Sequence, residues 1–255
     1  MKKVTLALLL ITGPLAIRAT ATYSILGFDP ETGEIGGAVQ SCVPTVAMVL
    51  RGEGDVGIVA AQGRPRPEYG KAGLKYLRAG LNPLETVRAV HAGGFIFTPW
   101  GGNKFEMQFA VMDRVGRAAA YTGPQCQDYA GHLIGKNCVA QGNLVEGPGV
   151  VSGMVYAFER TRGPLKYRLM AALDAAQANG GDRRGMMSAA MLIVKNGSKG
   201  QRGVVLDLKE NMSFSPLAGL RAQLNRPKVF VYQESEDSPT TRGLPGSPSP
   251  GLRRP

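Results

Sequence analysis

The residue with the clearest chemical potential is Thr22, because the preceding sequence predicts a free α-amine beside its hydroxyl. Two lysines and an apolar stretch over residues 4–17 precede Ala19-Thr20-Ala21, which places small residues where signal peptidase requires them. Cleavage after Ala21 would make Thr22 the first residue of the mature chain. Its hydroxyl could then act as a nucleophile and its own α-amine as the base, because an ordinary amine pKa of about 7.7–8.0 leaves much of that amine neutral. The alternative is that Thr22 only begins a β-strand.

Residues 1–21 are therefore predicted to be a secretory signal, and the mature protein is expected to be exported, either periplasmic or extracellular. An uncleaved anchor is the alternative. However, the apolar run is shorter than the roughly 18 residues that a membrane-spanning helix needs, and Gly13-Pro14 interrupts it. No cysteine follows the cut to carry a lipid, so we expect no stable membrane anchor.

The charge of the chain does not indicate a nucleic-acid partner. The formal net charge of +11 falls by three, to +8, when residues 1–21 are removed. The remaining basic residues are scattered, and no basic helix with interleaved aromatic residues occurs, so we expect no nucleic-acid binding. A preference for anionic ligands remains open. A homo-oligomer is compatible with the sequence.

The other reactive side chains do not form a recognisable site. The chain has two histidines, His91 and His132, and an N-terminal nucleophile requires neither. Three cysteines, Cys42, Cys126 and Cys138, allow three single pairings and always leave one thiol free. Cys126 and Cys138 are the natural pair by closeness in sequence, although spacing alone does not decide it. No ligand spacing typical of zinc sites occurs, so we expect neither a metal nor a cofactor.

The elements that must position Thr22 alternate between groups of strands and pairs of helices. Strand patterns occur at 22–29, 34–40, 46–50, 55–62, 105–113, 117–122, 137–141, 187–195 and 203–208. Helical periodicity occurs at 67–79, 83–91, 147–162, 164–178 and 216–224. Asn82, Pro83 and Glu85 provide an N-cap, a proline at the first helical position and a nearly complete capping box.

Paired helices between strand groups do not fit a doubly wound sheet, in which single helices alternate with strands. They predict an α+β fold, a four-layer αββα sandwich with two antiparallel sheets between helical layers. Residues 22–232 are long enough for one domain with a sizeable core. Residues 233–255 are rich in serine, proline and glycine without apolar periodicity, and we expect this tail to be disordered.

Several short motifs, taken in order, resemble the family called domain of unknown function 1028. They are Thr22-Tyr-Ser-Ile, Asp29-Pro-Glu-Thr-Gly-Glu, Ala38-Val-Gln-Ser41, Ala120-Tyr-Thr-Gly123, Ala130-Gly-His132, Gln141-Gly-Asn143 and Gly180-Gly-Asp-Arg-Arg-Gly185. The resemblance runs from residue 22 to about residue 224 and covers nearly all of the expected mature fold. It implies the Ntn-hydrolase fold of proteasome subunits and many amidases, and it assigns no reaction.

The resemblance to Ntn hydrolases also suggests which residues would support Thr22. Proteasome-like enzymes use a carboxylate on the second strand and a lysine on the next, and here the second strand offers Gln40 or Ser41. No lysine occurs between Gln40 and Leu50, and Arg51 is the nearest cation. This departure argues against proteasome-type peptidase activity. The alternative for Gln40 is an ordinary polar strand residue.

Three further catalytic candidates follow from the same resemblance. Gly63 ends a strand ahead of a helix, where this fold supplies a backbone N–H to an oxyanion and glycine allows close approach. Asn143 and Asp182 fall where related folds hydrogen-bond the α-amine, and Asp182 could stabilise an ammonium. Ordinary glycine turns at Gly63 and before Asp182 are the alternatives.

Substrate contacts are expected from Arg183, Arg184 and Trp100. The planar guanidinium of Arg183 could hold a substrate carboxylate. Trp100 could line a pocket, although a capping aromatic side chain is the simpler interpretation.

Two functions of different classes follow. The first is an exported amidohydrolase acting on a small amide or N-acyl compound through Thr22. The second is a non-catalytic binding or assembly protein on the same fold, which the missing lysine favours.

Overall fold

Two antiparallel β-sheets form the centre of the computed structural model, which describes residues 22–64, 67–93, 104–127, 129–198 and 201–226. The strands are β1 (Thr22–Asp29), β2 (Glu34–Ser41), β3 (Leu50–Glu53), β4 (Gly57–Gly63), β5 (Met107–Asp113), β6 (Ala118–Thr122), β7 (Gly131–Gly135), β8 (Cys138–Asn143), β9 (Ser188–Lys195) and β10 (Val204–Glu210). The helices are α1 (Pro67–Arg78), α2 (Pro83–Ala92), α3 (Pro148–Arg160), α4 (Leu165–Ala178) and α5 (Pro216–Leu224). The predicted signal, the predicted tail and Trp100 lie outside the described residues.

The larger sheet has the strand order β10-β9-β2-β1-β8-β7, and the smaller one has the order β3-β4-β5-β6. The first hairpin, β1–β2, thus lies in the middle of the larger sheet, between strands from the second half of the chain. The predicted α+β class with two antiparallel sheets is confirmed.

Three apolar clusters hold these elements together. One lies between the two sheets and includes Leu26 and Ile58. A second packs α3, α4 and α5 against the larger sheet through residues such as Phe158 and Leu169. A third packs α1 and α2 against the smaller sheet and includes Phe109. Both sheets therefore pack against helices, the larger against α3, α4 and α5 and the smaller against α1 and α2.

The predicted start of α2 is confirmed in detail. The Asn82 side chain accepts a hydrogen bond of 3.0 Å from the Glu85 backbone N–H, and the Asn82 N–H donates to Glu85 Oε2 at 2.9 Å. Pro83 occupies the first turn, where its missing N–H has no consequence. Sequence alone was sufficient here because every contact is local.

Two strand predictions differ from the structure. The strand expected at 46–50 begins only at Leu50, because Ala47–Val49 form a 3-10 turn that buries Val49 between the sheets. An apolar run of this length predicts burial but not conformation. The short strand β7 was not predicted, because it is an edge strand of five residues with glycine at both ends and no alternating pattern.

Side-chain alternation along β1 decides what Thr22 faces. Tyr23 and Ile25 belong to the helix-side cluster, whereas Leu26 belongs to the cluster between the sheets. Because successive strand residues point to opposite faces, Thr22 and Ser24 face the smaller sheet. Among the described ranges, no helix is long and apolar enough to cross a membrane.

Candidate functional site

Thr22 begins the central strand of the larger sheet, with a hydroxyl or amide neighbour on each side. In register it lies opposite Ser41 of β2 and Asn143 of β8. Its Oγ1 donates a hydrogen bond of 3.0 Å to Ser41 Oγ. Thr22 is 3% exposed in the full chain. The structure therefore brings together three of the residues expected from sequence, on the face that meets the smaller sheet.

Gln40 does not share this surface. It pairs with Tyr23 rather than Thr22, so its side chain lies on the helix side of the sheet, with Nε2 3.5 Å from the Gly185 carbonyl oxygen. Of the two candidates on the second strand, Ser41 is the one that contacts Thr22, because the strand alternation places them on one face.

A network of buried amides from the smaller sheet reaches Thr22. Gln62 Nε2 donates to the Thr22 carbonyl oxygen at 3.0 Å and to Gln108 Oε1 at 2.7 Å. Asn143 Nδ2 donates to the same Gln108 oxygen at 3.0 Å. Gln62, Gln108 and Asn143 are at most 3% exposed. Because buried polar groups are stable only when paired, this network fixes both the Thr22 backbone and the Asn143 amide.

The network extends on both sides of Gln62 and Gln108. Ser24 Oγ donates to Gln62 Oε1 at 2.6 Å and accepts from Gln141 Nε2 at 3.3 Å. On the other side, Gln108 Nε2 lies 3.0 Å from Thr122 Oγ1.

Thr122 in turn connects the amide network to His132. The hydroxyl lies 2.8 Å from His132 Nδ1, and packing around the ring lowers the pKa of His132 below its ordinary value. The lowered pKa favours the neutral ring, in which one nitrogen can accept a hydrogen bond from the Thr122 hydroxyl. Thr122 and His132 thus extend the hydrogen-bond network from Thr22 toward the surface.

Sequence reasoning missed Gln62 and Gln108. The available signal was a single glutamine among mainly apolar residues in each of two strands, Gly57–Gly63 and Met107–Asp113. A glutamine in such a strand is expected to find a partner, because an unpaired buried amide is costly. Their mutual position depends on the strand pairing, which places Gln62 opposite Gln108.

Gly63 lies at the end of β4 beside this network. Its φ of +89° is in the region that favours glycine, and a Cβ at this position would approach the Glu106 carbonyl oxygen to 2.5 Å. Gly63, Cys126 and Asn143 line a cavity of about 20 Å³. That volume is enough for about one water molecule.

Asp182 is occupied by structural contacts. Its Oδ2 accepts the Cys42 N–H at 2.9 Å and pairs with the Arg184 guanidinium at 3.0 Å, while Oδ1 accepts the Arg184 N–H. A bridge between Asp182 and Val145 connects the same loop to the chain just after β8. The carboxylate therefore holds the segment that follows Ser41, and the backbone of Asp182 pairs with the segment that follows Asn143. Arg184 takes part in the same set of contacts through its ion pair with Asp182.

Arg183 is more exposed than Arg184. Its Nε lies 3.6 Å from a Glu146 carboxylate oxygen, in a pair whose side chains are 47% and 63% exposed. Such an exposed pair contributes little to stability, so the guanidinium can exchange Glu146 for another carboxylate.

Cys126 and Cys138, the natural pair by closeness in sequence, are not bonded to each other, and Cys42, Cys126 and Cys138 are free thiols. Cys126 lines the cavity beside Asn143, whereas Cys138 lies at the opposite end of β8. Five residues of strand separate the two ends by about 16 Å, far beyond the roughly 7 Å between Cα atoms that a disulfide allows. Within the described part of the chain, no group of three or more potential metal ligands occurs.

These features define a class of protein: an α+β fold in which a threonine opens the central strand of a larger sheet, beside a buried network of hydroxyls and amides. The chain belongs to the family of unknown function DUF1028, whose family model matches residues 22–220. The crystal structure of protein SPO2555 from Silicibacter pomeroyi, of the same family, is 32% identical, with a TM-score of 0.69 over 80% of this chain and 84% of that one.

Two structures of Anbu are more distant. Anbu (ancestral beta-subunit) from Yersinia bercovieri is 12% identical, with a TM-score of 0.39 over 79% of this chain and 92% of that chain. Anbu from Hyphomicrobium sp. strain MC1 is 9% identical, with a TM-score of 0.38 over 82% of this chain and 99% of that chain. No curated protein matches the sequence.

Proposed function

We propose that this protein is an exported N-terminal-nucleophile amidohydrolase acting on a small amide or N-acyl compound. In this proposal the packing of helices on the outer faces of two sheets is the αββα sandwich of Ntn hydrolases. In the same proposal, residues 1–21 are a signal peptide that is removed. Thr22 then begins the mature chain.

The position of Thr22 is the observation that carries the proposal. A threonine at the predicted cut begins the middle strand of the larger sheet, and its hydroxyl is held 3.0 Å from Ser41 Oγ. Gln62 holds the carbonyl of the same residue. Hydroxyl and amine on one residue are a nucleophile and a base at fixed separation, so no histidine is required.

The reaction would proceed in two steps. The neutral α-amine takes the Thr22 hydroxyl proton while Oγ1 bonds to the substrate carbonyl carbon. The C–N bond then breaks, the leaving amine takes that proton, and an ester remains on Thr22. A water molecule, activated by the same amine, hydrolyses the ester, and the cavity beside Asn143 has room for about one.

Asn143 is the best-placed donor for the oxyanion. One of its two amide hydrogens bonds Gln108, which leaves the other for charge that develops beside Thr22. Neutral amides and the Ser41 hydroxyl would thus replace the carboxylate and lysine of proteasome-like enzymes. Arg183, exposed near Glu146, would bind a substrate carboxylate.

The test compares Thr22→Ala with Ser24→Ala, which removes a second buried hydroxyl from the same face of the same strand. Intact-mass analysis of the exported protein should give a chain that begins at Thr22. Incubation with a panel of N-acyl p-nitroanilides, followed by rapid acid quenching, should then show an added acyl mass in the wild type and in Ser24→Ala. Thr22→Ala should show neither added mass nor turnover.

A form that retains Ala21 should be as inactive as Thr22→Ala, because an amide nitrogen cannot act as the base. Turnover by Thr22→Ala at the wild-type rate would refute the proposal. A correct N-terminus with no acylation by any amide would instead favour the binding or assembly protein.

A further inference from the structure

A cavity among the described residues lies at the other end of β1 from Thr22. It has a volume of about 680 Å³ and is formed by the β1–β2 turn, the β7–β8 turn and the α3–α4 loop. This volume lies in the range of small-molecule sites, about 300–1,000 Å³. Seven strand residues separate Thr22 from Asp29 in this cavity, or about 23 Å.

Charges of opposite sign line this cavity, and they come from different elements. We call one set the hairpin wall; it consists of the acidic residues Asp29, Glu31 and Glu34. We call the other set the loop wall; it consists of the basic residues Lys136, Arg162 and Arg168. Glu159 also lies on the loop side, where its carboxylate accepts the Lys136 backbone N–H at 2.6 Å.

The two walls do not neutralise one another directly. Among the described residues, none of the ion pairs within 4.0 Å joins the hairpin wall to the loop wall. Opposite charges that are held apart across a cavity favour a ligand that carries both signs.

On the hairpin wall, Asp29 is the carboxylate best placed to bind a ligand. It is 7% exposed, and its Oδ1 accepts the Glu31 N–H at 3.0 Å. Its Oδ2 makes no hydrogen bond to the described residues. In register Asp29 pairs with Glu34, so both carboxylates lie on the helix side of the sheet, under the α3–α4 loop. A buried carboxylate with an oxygen to spare is a good acceptor for an ammonium group.

On the loop wall, Arg168 is the cation best placed to bind a ligand. Its guanidinium carbon lies 4.1 Å from the centre of the Phe158 ring, and Nε points to the Phe158 carbonyl oxygen at 3.5 Å. The ring itself rests on Gly27, where any Cβ would collide with it. Stacking fixes the plane of the guanidinium and leaves its two terminal nitrogens, which match a carboxylate in bidentate fashion.

We infer that this cavity binds a small zwitterion, a free amino acid or a short peptide. The ligand carboxylate binds Arg168 on the loop wall, and its ammonium binds Asp29 on the hairpin wall. This site is separate from Thr22, and the inference does not depend on the proposed function.

Calorimetric titration of the full exported protein tests the inference with alanine and with alanyl-alanine. One of the two should bind, and their relative affinities show whether a free amino acid or a peptide fits. Acetylating the amine or amidating the carboxyl group of the better ligand removes one charge at a time. Each cap should weaken binding about tenfold to hundredfold, because each removes a charged hydrogen bond.

Two conservative variants locate the site. Asp29→Asn keeps the acceptor for the Glu31 N–H, and Arg168→Lys keeps the charge but loses the fork. Each should weaken binding at least tenfold at an unchanged melting temperature. Arg117→Lys, the same change at an arginine outside the cavity, and Thr22→Ala should bind as the wild type does. Equal binding of capped and free ligands, no binding of either ligand at 10 mM, or wild-type affinity in both cavity variants would overturn the inference.

Discussion

Replacing Gln108 by leucine should reveal how much the buried amide network contributes to stability. Leucine has a similar size and cannot hydrogen-bond. The change leaves the amide N–H groups of Gln62 and Asn143 without their shared acceptor in a region that is at most 3% exposed. Each stranded donor costs about 1–3 kcal/mol, and the leucine returns about 1–2 kcal/mol through its apolar surface.

The expected net loss is therefore about 3 kcal/mol of unfolding free energy. In a domain of this size, each kcal/mol lowers the melting temperature by about 2–4 °C, which predicts a decrease of about 6–12 °C. Urea titration followed by circular dichroism gives the free energy directly, provided that the m-value stays constant.

Gln141→Leu is the matched control, because Gln141 is equally buried in the same layer. Its amide makes only two hydrogen bonds, to Ser24 Oγ and the Ala60 carbonyl oxygen, and its own Oε1 has no partner in the described structure. Removing an unpaired oxygen relieves a penalty, so this variant should lose only about 1 kcal/mol. If both variants lose the same free energy, or Gln108→Leu loses less than about 1 kcal/mol, the network does not stabilise the fold as argued.

Two further predictions concern pH and backbone strain. Burial raises the pKa of Cys126 to about 11, that of Cys138 to about 12, and that of Tyr23 above its ordinary 10.0. These buried groups should contribute their full stabilisation below the ordinary thiol pKa of 9.0, and that stabilisation should be lost as pH rises through 11–12. The reason is that between the ordinary and the raised pKa only the unfolded chain ionises. A urea midpoint that is constant from pH 8 to 11 under reducing conditions would contradict this. Gly63→Ala should lower the unfolding free energy by about 1–3 kcal/mol because of its positive φ and the adjacent carbonyl. Gly147→Ala, at an extended position with open space, should lose less than about 1 kcal/mol, and equal urea midpoints for the two variants would contradict the strain argument.

The parts of the fold that the sequence predicted are those set by local chemistry. The break between the first two predicted strands, at residues 30–33, and the capping box at Asn82 depend on neighbouring residues, and β2 and α2 begin as expected. Periodicity alone suggested two sheets only through the order of strands and paired helices. The family motifs supported the same fold class. The strand β7 escaped prediction because its pairing with β8, rather than its own pattern, makes it a strand.

In the candidate site, too, the sequence predicted some contacts and missed those that depend on how distant elements pack. The resemblance to Ntn hydrolases suggested Gln40 or Ser41 as the second-strand neighbour of Thr22, and the strand register places Ser41 opposite it. Gln62 and Gln108 come from the other sheet, so the hydrogen bond from Gln62 to Thr22, and the connection of Gln108 through Gln62, depend on how the two sheets pack. Asp182 was expected near the amine on the basis of the resemblance, but the Arg184 side chain, two residues on in the same loop, pairs with its carboxylate.

The central place of the first hairpin has a consequence for the order in which the chain can fold. Strand β1 pairs with β8, which ends at Asn143, and β2 pairs with β9, which ends at Lys195. The partner of β1 is therefore made only after more than half of the chain, and the partner of β2 only after most of it. Pairings this distant in sequence form slowly, because a long loop must close before any contact compensates for the lost entropy. The larger sheet can therefore be completed only after β9 and β10 have been made, late in the synthesis of the chain.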